Sequence, residues 1–366
     1  MKIRNVLSLF GWIEWWMMAL ESLGIVPERY FSSEIDPYPI ENTKHNYPDI
    51  VHIGSVTDIS YKQKTGAIHF QENWYEFIGE IDLLIGWSPC QDVSNAGNQK
   101  GLAWTYEEYL EQKKAGTATR SDLFWEFIRI LGETKPKYFM LENVKMKQEY
   151  MDIFNKAVGF EWDLINAALL SPQNRKRVYF CGKLNPDGTY SKVSIPQPKD
   201  AGMKLKDILE GIPFDAVDDK GNPIWKPVPD KYIPLIKERE KALSITATYW
   251  NVCPKNFFEK WEREIVILQI PHGNNNGHTF DEKVPSITTS KWQDNNKLVA
   301  QEVKEFSRFY QVQYMWRPLT VRECARCQWI PDSYEFVTSK SRSYKCIGNG
   351  WEARTVAHVF KHLFLA

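Results

Sequence analysis

Three short stretches of the 366-residue chain carry side chains able to do covalent chemistry. Ser88-Pro89-Cys90-Gln91 follows directly on the apolar run Ile81–Ile85. A cysteine at a strand end, fixed by a preceding proline, is well placed as a thiolate nucleophile. The plainer reading is a buried thiol that acts as a small hydrophobe. Leu141-Glu142-Asn143-Val144 puts a carboxylate at the end of a second apolar run, where it would also suit a helix start. Gln173-Asn174-Arg175-Lys176-Arg177 sets alternate arginines on one face of a strand, or on a solvated edge. Each stretch is weak alone. In this order they supply a thiol, an acid and two cations.

The elements that must position these groups read as alternating strands and helices over residues 3–180. Asn5–Phe10 is a short apolar run, Ile13–Leu23 has helical spacing, and Gly24 is a stop. Tyr30–Ile35, Ile81–Ile85 and Tyr138–Leu141 read as strands, and Ser121–Leu131 as an amphipathic helix. Near-continuous apolar strands imply a parallel sheet covered by helices on both faces. Ligands of open sheets sit beyond the carboxyl ends of the strands, and Glu34, Cys90 and Glu142 all fall at such ends. From about Pro186 the texture changes. Pro, Asp, Lys and Asn become frequent, and Pro223–Pro229, Pro271–Gly277 and Asp294–Lys297 are turn-rich. This predicts a second, loop-rich unit with short strands. Helical pattern resumes over Val321–Trp329 and Ala353–Phe364. No internal repeat is visible.

Composition sets outer bounds. The 46 Lys and Arg balance 46 Asp and Glu, which argues against a generally basic nucleic-acid coat but leaves room for a local basic groove. No apolar run is long enough to span a membrane. The opening 20 residues look like a signal peptide, but Glu14 interrupts the apolar stretch and no small-residue cleavage site follows, so they read as a strand running into a helix. Six unevenly spaced Cys suggest cytosolic thiols. Cys324 and Cys327 have a C-x-x-C spacing, but a zinc site needs a second pair, and none has the right spacing. Of 15 Trp, Trp12, Trp15 and Trp16 crowd one short segment.

In these residues the chain resembles the DNA (cytosine-5) methyltransferases, nearly end to end. The resemblance rests on Val6-Leu7-Ser8-Leu9-Phe10, Ser33-Glu34-Ile35-Asp36, Ser88-Pro89-Cys90-Gln91, Glu142-Asn143-Val144, Gln173 to Arg177, Arg317-Pro318-Leu319-Thr320, Glu323-Cys324 and Ile347-Gly348-Asn349-Gly350. It implies a methyltransferase-type, Rossmann-like α/β sheet formed by residues 1–185 and 311–366, with a smaller loop-rich target recognition domain at 186–310. It implies that Cys90 adds to carbon 6 of a flipped-out cytosine in double-stranded DNA, that Glu142 engages ring nitrogen 3, and that Arg175 and Arg177 neutralise the base carbonyl or orient Cys90. Gln91 to about Arg120 would be a loop that closes on the base, with Gln91 and Ser94 against DNA. Lys291 and Asn295 suit phosphate and base-edge contacts, although Asn, Lys and Gly also simply make turns. The donor would be S-adenosyl-L-methionine or carboxy-S-adenosyl-L-methionine. The resemblance further implies a monomer on DNA, in the cytoplasm of a bacterial or phage-infected cell.

The donor side departs from the family pattern. Phe10-Gly11-Trp12-Ile13-Glu14-Trp15-Trp16 stands where a Gly-rich loop is expected, Ser55 where an acidic residue is expected ahead of Val56, Trp87 where a Gly precedes Ser88-Pro89, and Arg354 shortly after Asn349. Glu34, with Ile35 beside it, remains as the expected ribose ligand. Three readings follow: a carboxymethyl transferase whose extra carboxylate meets Arg354 (or Arg317 or Lys345), the reading that the changes at Ser55 and Arg354 favour; an ordinary methyltransferase with a reshaped pocket; or a non-catalytic DNA-binding relative. A Rossmann dehydrogenase is poorly supported, because no G-x-G-x-x-G follows the first strand.

Overall fold

The computed structural model describes residues 2–62, 67–70, 73–76, 80–89, 101–232, 266–269, 278–280, 284–285, 296–306 and 309–365. Its centre is a sheet of strands β1 (Asn5–Leu9), β2 (Arg29–Ser33), β3 (Val51–His52), β4 (Leu83–Trp87), β5 (Tyr138–Asn143), β6 (Asp163–Asn166), β7 (Lys176–Leu184) and β8 (Tyr190–Lys192). The order is β8-β7-β5-β4-β1-β2-β3, with β6 paired to the end of β7. The run β5-β4-β1-β2-β3 is parallel, and β7 and β8 are antiparallel additions. All five residues of β1 are buried, as a strand covered on both faces requires. The chain winds outward from β1 to β3 and then returns to β4. The crevice beyond β1 and β4 is therefore the switch point of the fold.

Helices cover both faces. Helix α1 (Trp15–Ser22) ends just before Gly24 and packs on α8 (Ala353–Leu365). Helix α2 (Pro37–Asn46) starts where Asp36 caps the Tyr38 N–H at 3.1 Å, with Pro37 in the first turn. Helix α3 (Tyr106–Ala115) and helix α4 (Phe124–Thr134) lie on the other face with α5 (Gln148–Val158). Helices α6 (Val321–Cys327) and α7 (Lys340–Asn349) precede α8.

The sequence expectations and the structure differ over several segments. The predicted loop from Gln91 to Arg120 contains α3, whose Thr105 side chain caps Glu108 N–H. Its weakly amphipathic pattern hides it from a periodicity search. The second unit also holds strands longer than expected. Asn296–Phe306 and Phe309–Arg317 form a hairpin within a five-stranded antiparallel sheet. The second strand runs across the expected boundary at 310. Val193, Ile195, Leu205, Ile208 and Trp225 belong to the same apolar cluster as α1 and α8.

Candidate active site

The base side is built at the ends of β4 and β5. In the parallel register Trp87 lies opposite Glu142. One residue further, Asn143 Nδ2 donates to Ser88 Oγ at 2.8 Å and to Ser88 O at 3.3 Å. This clamp fixes the turn that leads through Pro89 to Cys90. Cys90 itself lies outside the described residues. Glu142 is 5% exposed, and Arg177 Nε lies 3.1 Å from its Oε1. Burial pushes the Glu142 carboxyl up to about 7, against the pull of Arg177 and then Arg175. A carboxyl poised there can carry a proton at neutral pH and give it to a ring nitrogen.

The two arginines do not act as one face of a strand. The strand breaks at Arg175, between Gln173–Asn174 and β7. Arg177 therefore reaches Glu142, whereas the buried Arg175 runs to the Gly350 carbonyl oxygen, to which its Nη2 donates.

The donor side is a cavity of about 520 Å³ at the ends of β1, β2 and β4. Phe10, Trp12, Glu34, Ile35, Ser55, Val56, Trp87 and Pro89 line it, so the structure brings these sequence-assigned residues together. Glu34 organises the wall: its Oε2 accepts from Trp12 N–H at 3.1 Å, and its Oε1 from the Ile35 and Asp36 N–H groups, each at 2.8 Å. Carboxylate oxygens have lone pairs beyond these three bonds, so Glu34 can still accept from a ribose hydroxyl. Ile35 is 72% exposed at the rim and offers an apolar face to a purine. Ser55 uses its hydroxyl to cap the short turn Val56–Asp58, accepting from Thr57 N–H at 3.3 Å. Trp87 Nε1 donates to Phe10 O at 2.7 Å and ties β4 to the loop after β1. A nucleoside sulfonium donor fits this cavity in size and in the character of its walls.

Four residues assigned to the donor side lie elsewhere. Trp15 points into the core and is 1% exposed. Glu14 is fully buried, accepting from Tyr30 OH at 2.6 Å, Ser8 Oγ at 3.1 Å and Ser32 Oγ. Asn349 ends α7 away from the cavity wall. Arg354 is the clearest correction. Its neighbours Ala353 and Thr355 face the core, so it turns outward, donating to Leu170 O at 3.1 Å with its guanidinium 5.8 Å over the Trp329 ring. Arg317, a second candidate cation, is held bidentately by Glu323 at 2.6 and 2.7 Å. Lys345 is closer: it pairs with Asp36 at 2.9 Å and sits 5.6 Å from the Trp12 ring. The cation that does line the cavity, Arg120, was missed. Its only sequence signal is a position just ahead of the amphipathic helix.

The expected glycines of this loop are replaced at a conformational cost. Trp12 and Glu14 adopt left-handed backbone, with φ of 55° and 57°. That costs an L-residue about 1 kcal/mol or more each. The cost is met locally. Trp12 Nε1 donates to Cys346 O at 2.7 Å, and three hydroxyls hold the Glu14 carboxyl. Gly11 remains glycine because a Cβ there would lie 1.9 Å from Glu14 Oε1. Burial raises the Glu14 carboxyl to about 7.

Cys324 and Cys327 are buried thiols, and no metal-binding cluster occurs among the described residues. Gln91, Ser94, Lys291 and Asn295 lie outside the described residues. No described helix is long and apolar enough to cross a membrane.

The chain is similar to known DNA methyltransferases in sequence and in fold. The Type II methyltransferase M1.ScrFI of Lactococcus lactis subsp. cremoris is 26% identical over 342 residues, covering 89% of this chain and 69% of that protein. The orphan methyltransferase M.SPRI of Bacillus phage SPR is 33% identical over 194 residues, 50% of this chain and 38% of the phage protein. The chain thus spans well under half of that second relative. In fold, it is similar to the crystal structure of S. pombe Dnmt2 methyltransferase, with a TM-score of 0.56, 14% identity and 99% of this chain covered against 98% of that one. The profile of the C-5 cytosine-specific DNA methylases matches residues 4–364, and the chain belongs to that family.

Proposed function

We propose that the protein transfers an alkyl group to carbon 5 of cytosine in double-stranded DNA, through a covalent Cys90 adduct on a flipped-out base. The observation that carries this reading is the ion pair of buried Glu142 with part-buried Arg177, beside the turn that Asn143 clamps ahead of Cys90. A target inside a stacked duplex is out of reach of a buried pair, so the base must leave the helix. The Cys90 thiolate bonds to carbon 6. Glu142, protonated near neutral pH, donates to ring nitrogen 3, so charge does not build on the ring. Arg177 offsets developing charge and holds Glu142 in place. Carbon 5, now nucleophilic, forms the new carbon–carbon bond. A base then takes the carbon 5 proton, and the Cys90 sulfur leaves. S-adenosyl-L-methionine, which Glu34 and the Ile35 rim would hold, would supply the electrophilic methyl carbon, its methyl–sulfur bond breaking as the neutral thioether leaves. Residues 186–310 would read the target, and the loop from Gln91 would close over the base, with a single copy acting on DNA.

Carboxymethyl transfer from carboxy-S-adenosyl-L-methionine is the second reading. The observation in its favour is Arg120 on the cavity wall. Against it stand two carboxylates on the same wall, Glu34 and Asp36, and the outward turn of Arg354. The plain donor suits this balance of charge better.

Two measurements test the reading. Duplex DNA containing 5-fluorocytosine should form a covalent complex with the wild type, because the carbon 5 fluorine cannot leave as a proton does. Cys90→Ala should form none and should abolish modification. Nucleoside masses from DNA of expressing cells separate a methyl from a carboxymethyl product. Full activity of Cys90→Ala sinks the mechanism.

A further inference from the structure

Gly350 caps the C-terminus of α7 with extended backbone, φ −90° and ψ −158°, which any residue can adopt. It is glycine for reasons of space. A Cβ there would lie 1.8, 1.9 and 2.3 Å from Cη2, Cζ3 and Cζ2 of Trp15. Real Cβ atoms do not approach that closely, and both partners are buried. The Trp15 indole N–H has no hydrogen-bond acceptor among the described residues. A buried unmet donor is destabilising, so the ring is kept for its shape. The Gly350 carbonyl is also the acceptor for the Arg175 guanidinium. Trp15 stands at the start of α1, next to Glu14 and its hydroxyl cage.

We propose that Trp15 and Gly350 are positioning residues for the transfer step: the indole backs the Gly350 peptide, whose carbonyl fixes the Arg175 guanidinium on the base side of the site. The rebuilt loop after β1 and a cation of the cytosine chemistry then form one packed unit. Neither Trp15 nor Gly350 touches donor or base. The inference rests on the cytosine reading above and deepens it. Arg175 is close enough to Glu142 to hold its carboxyl down, so a displaced guanidinium lets that carboxyl rise further.

The test uses the full chain with duplex DNA and S-adenosyl-L-methionine. Gly350→Ala should lower kcat about ten-fold or more, as misplacement of a catalytic group does, with KM for DNA changed less than about three-fold. Adding Trp15→Phe removes the clashing ring edge and should return kcat to that of Trp15→Phe alone. Arg175→Lys keeps the charge, loses the fixed guanidinium fork and should match the Gly350→Ala loss. Trp15→Phe alone should move the pH-rate limb set by Glu142 upward. Nitrogen-15 NMR of the arginine side chains gives a readout free of activity. The Arg175 signal should be protected in the wild type and exchange-broadened in Gly350→Ala, or in Trp15→Phe should Gly350→Ala fail to fold. A wild type that modifies no cytosine overturns the reading above but leaves this NMR comparison decisive. Gly350→Ala with wild-type kcat, a double variant that regains Tm without kcat, an unmoved pH limb, or an unchanged Arg175 signal each overturns the proposal.

Discussion

The two halves of the site obey different rules. On the side assigned to the base, Arg177 pairs with Glu142, Arg175 is held by the Gly350 carbonyl, and Asn143 clamps Ser88. In the loop after β1, Trp12, Glu14 and Trp15 stand where the family pattern has glycines; Trp12 borders the cavity, while Glu14 and Trp15 are buried in the core. Trp12 still hands its backbone N–H to Glu34, and the cavity still opens onto Phe10 and Trp87. Chemistry constrains the identity of side chains on the base side. On the donor side it constrains mainly where backbone and carboxylate lie. Side chains there are free to change if their backbone strain is offset, as the hydroxyl cage around Glu14 does.

This contrast can be broken by experiment. The largest effect belongs to the base side. Glu142→Gln or Arg177→Ala should each lower kcat by about 10²–10³, the usual loss when one preorganised charged group is removed. Donor affinity by calorimetry should stay within about three-fold. A comparable loss of donor binding would mean that the two halves are not separable.

The next effect is one of stability. Folded Glu14 titrates near 7 against 4.5 for the ordinary group, so the native state holds its proton more tightly than the unfolded chain. The associated stability is full below about pH 4.5 and is lost as pH rises through about 7. The difference corresponds to about 3 kcal/mol at most. Chemical denaturation from pH 5 to 8 should therefore show falling stability, with a shallower fall in Glu14→Gln. Glu142 and Glu352, which burial also raises to about 7, would supply the slope that remains. Identical slopes would place the Glu14 proton elsewhere.

Trp12→Gly sharpens the donor side. It relieves left-handed strain but removes a cavity wall and the bond to Cys346 O. Donor Kd should weaken about ten-fold, the scale of one lost contact set. The kcat at saturating donor should stay within three-fold. Last, DNA affinity should fall with rising salt as phosphate-bound counterions are released. A flat salt response would point to a free nucleotide as substrate.

Much of this was legible in the sequence, for identifiable reasons. Strands β1, β4 and β5 are buried on both faces, and their apolar runs announce them within one or two residues. Glu34, Trp87 and Glu142 fall at or just beyond strand ends, where the topology of a parallel sheet gathers them. Arg354 was misplaced because sequence cannot say which way a residue faces in the first turn of a helix that is buried on most sides. Arg120 was missed because a cation ahead of an apolar helix looks like an ordinary solvated start. The hairpin of Asn296–Phe306 and Phe309–Arg317 is longer than the short strands expected of this unit, since its Asn, Lys and Gln are the residues of both solvated strands and loops.

The bond from Trp12 Nε1 to Cys346 O spans 334 residues of sequence. Together with the packing of α1 on α8, it means the cleft after β1 is finished by a segment more than 300 residues further along the chain. During synthesis, β1, β2 and the Glu34 wall can assemble early, but the loop after β1 has nothing to lean on until residues 340–365 emerge from the ribosome. A nascent chain would thus lack the finished cleft until residues 340–365 exist.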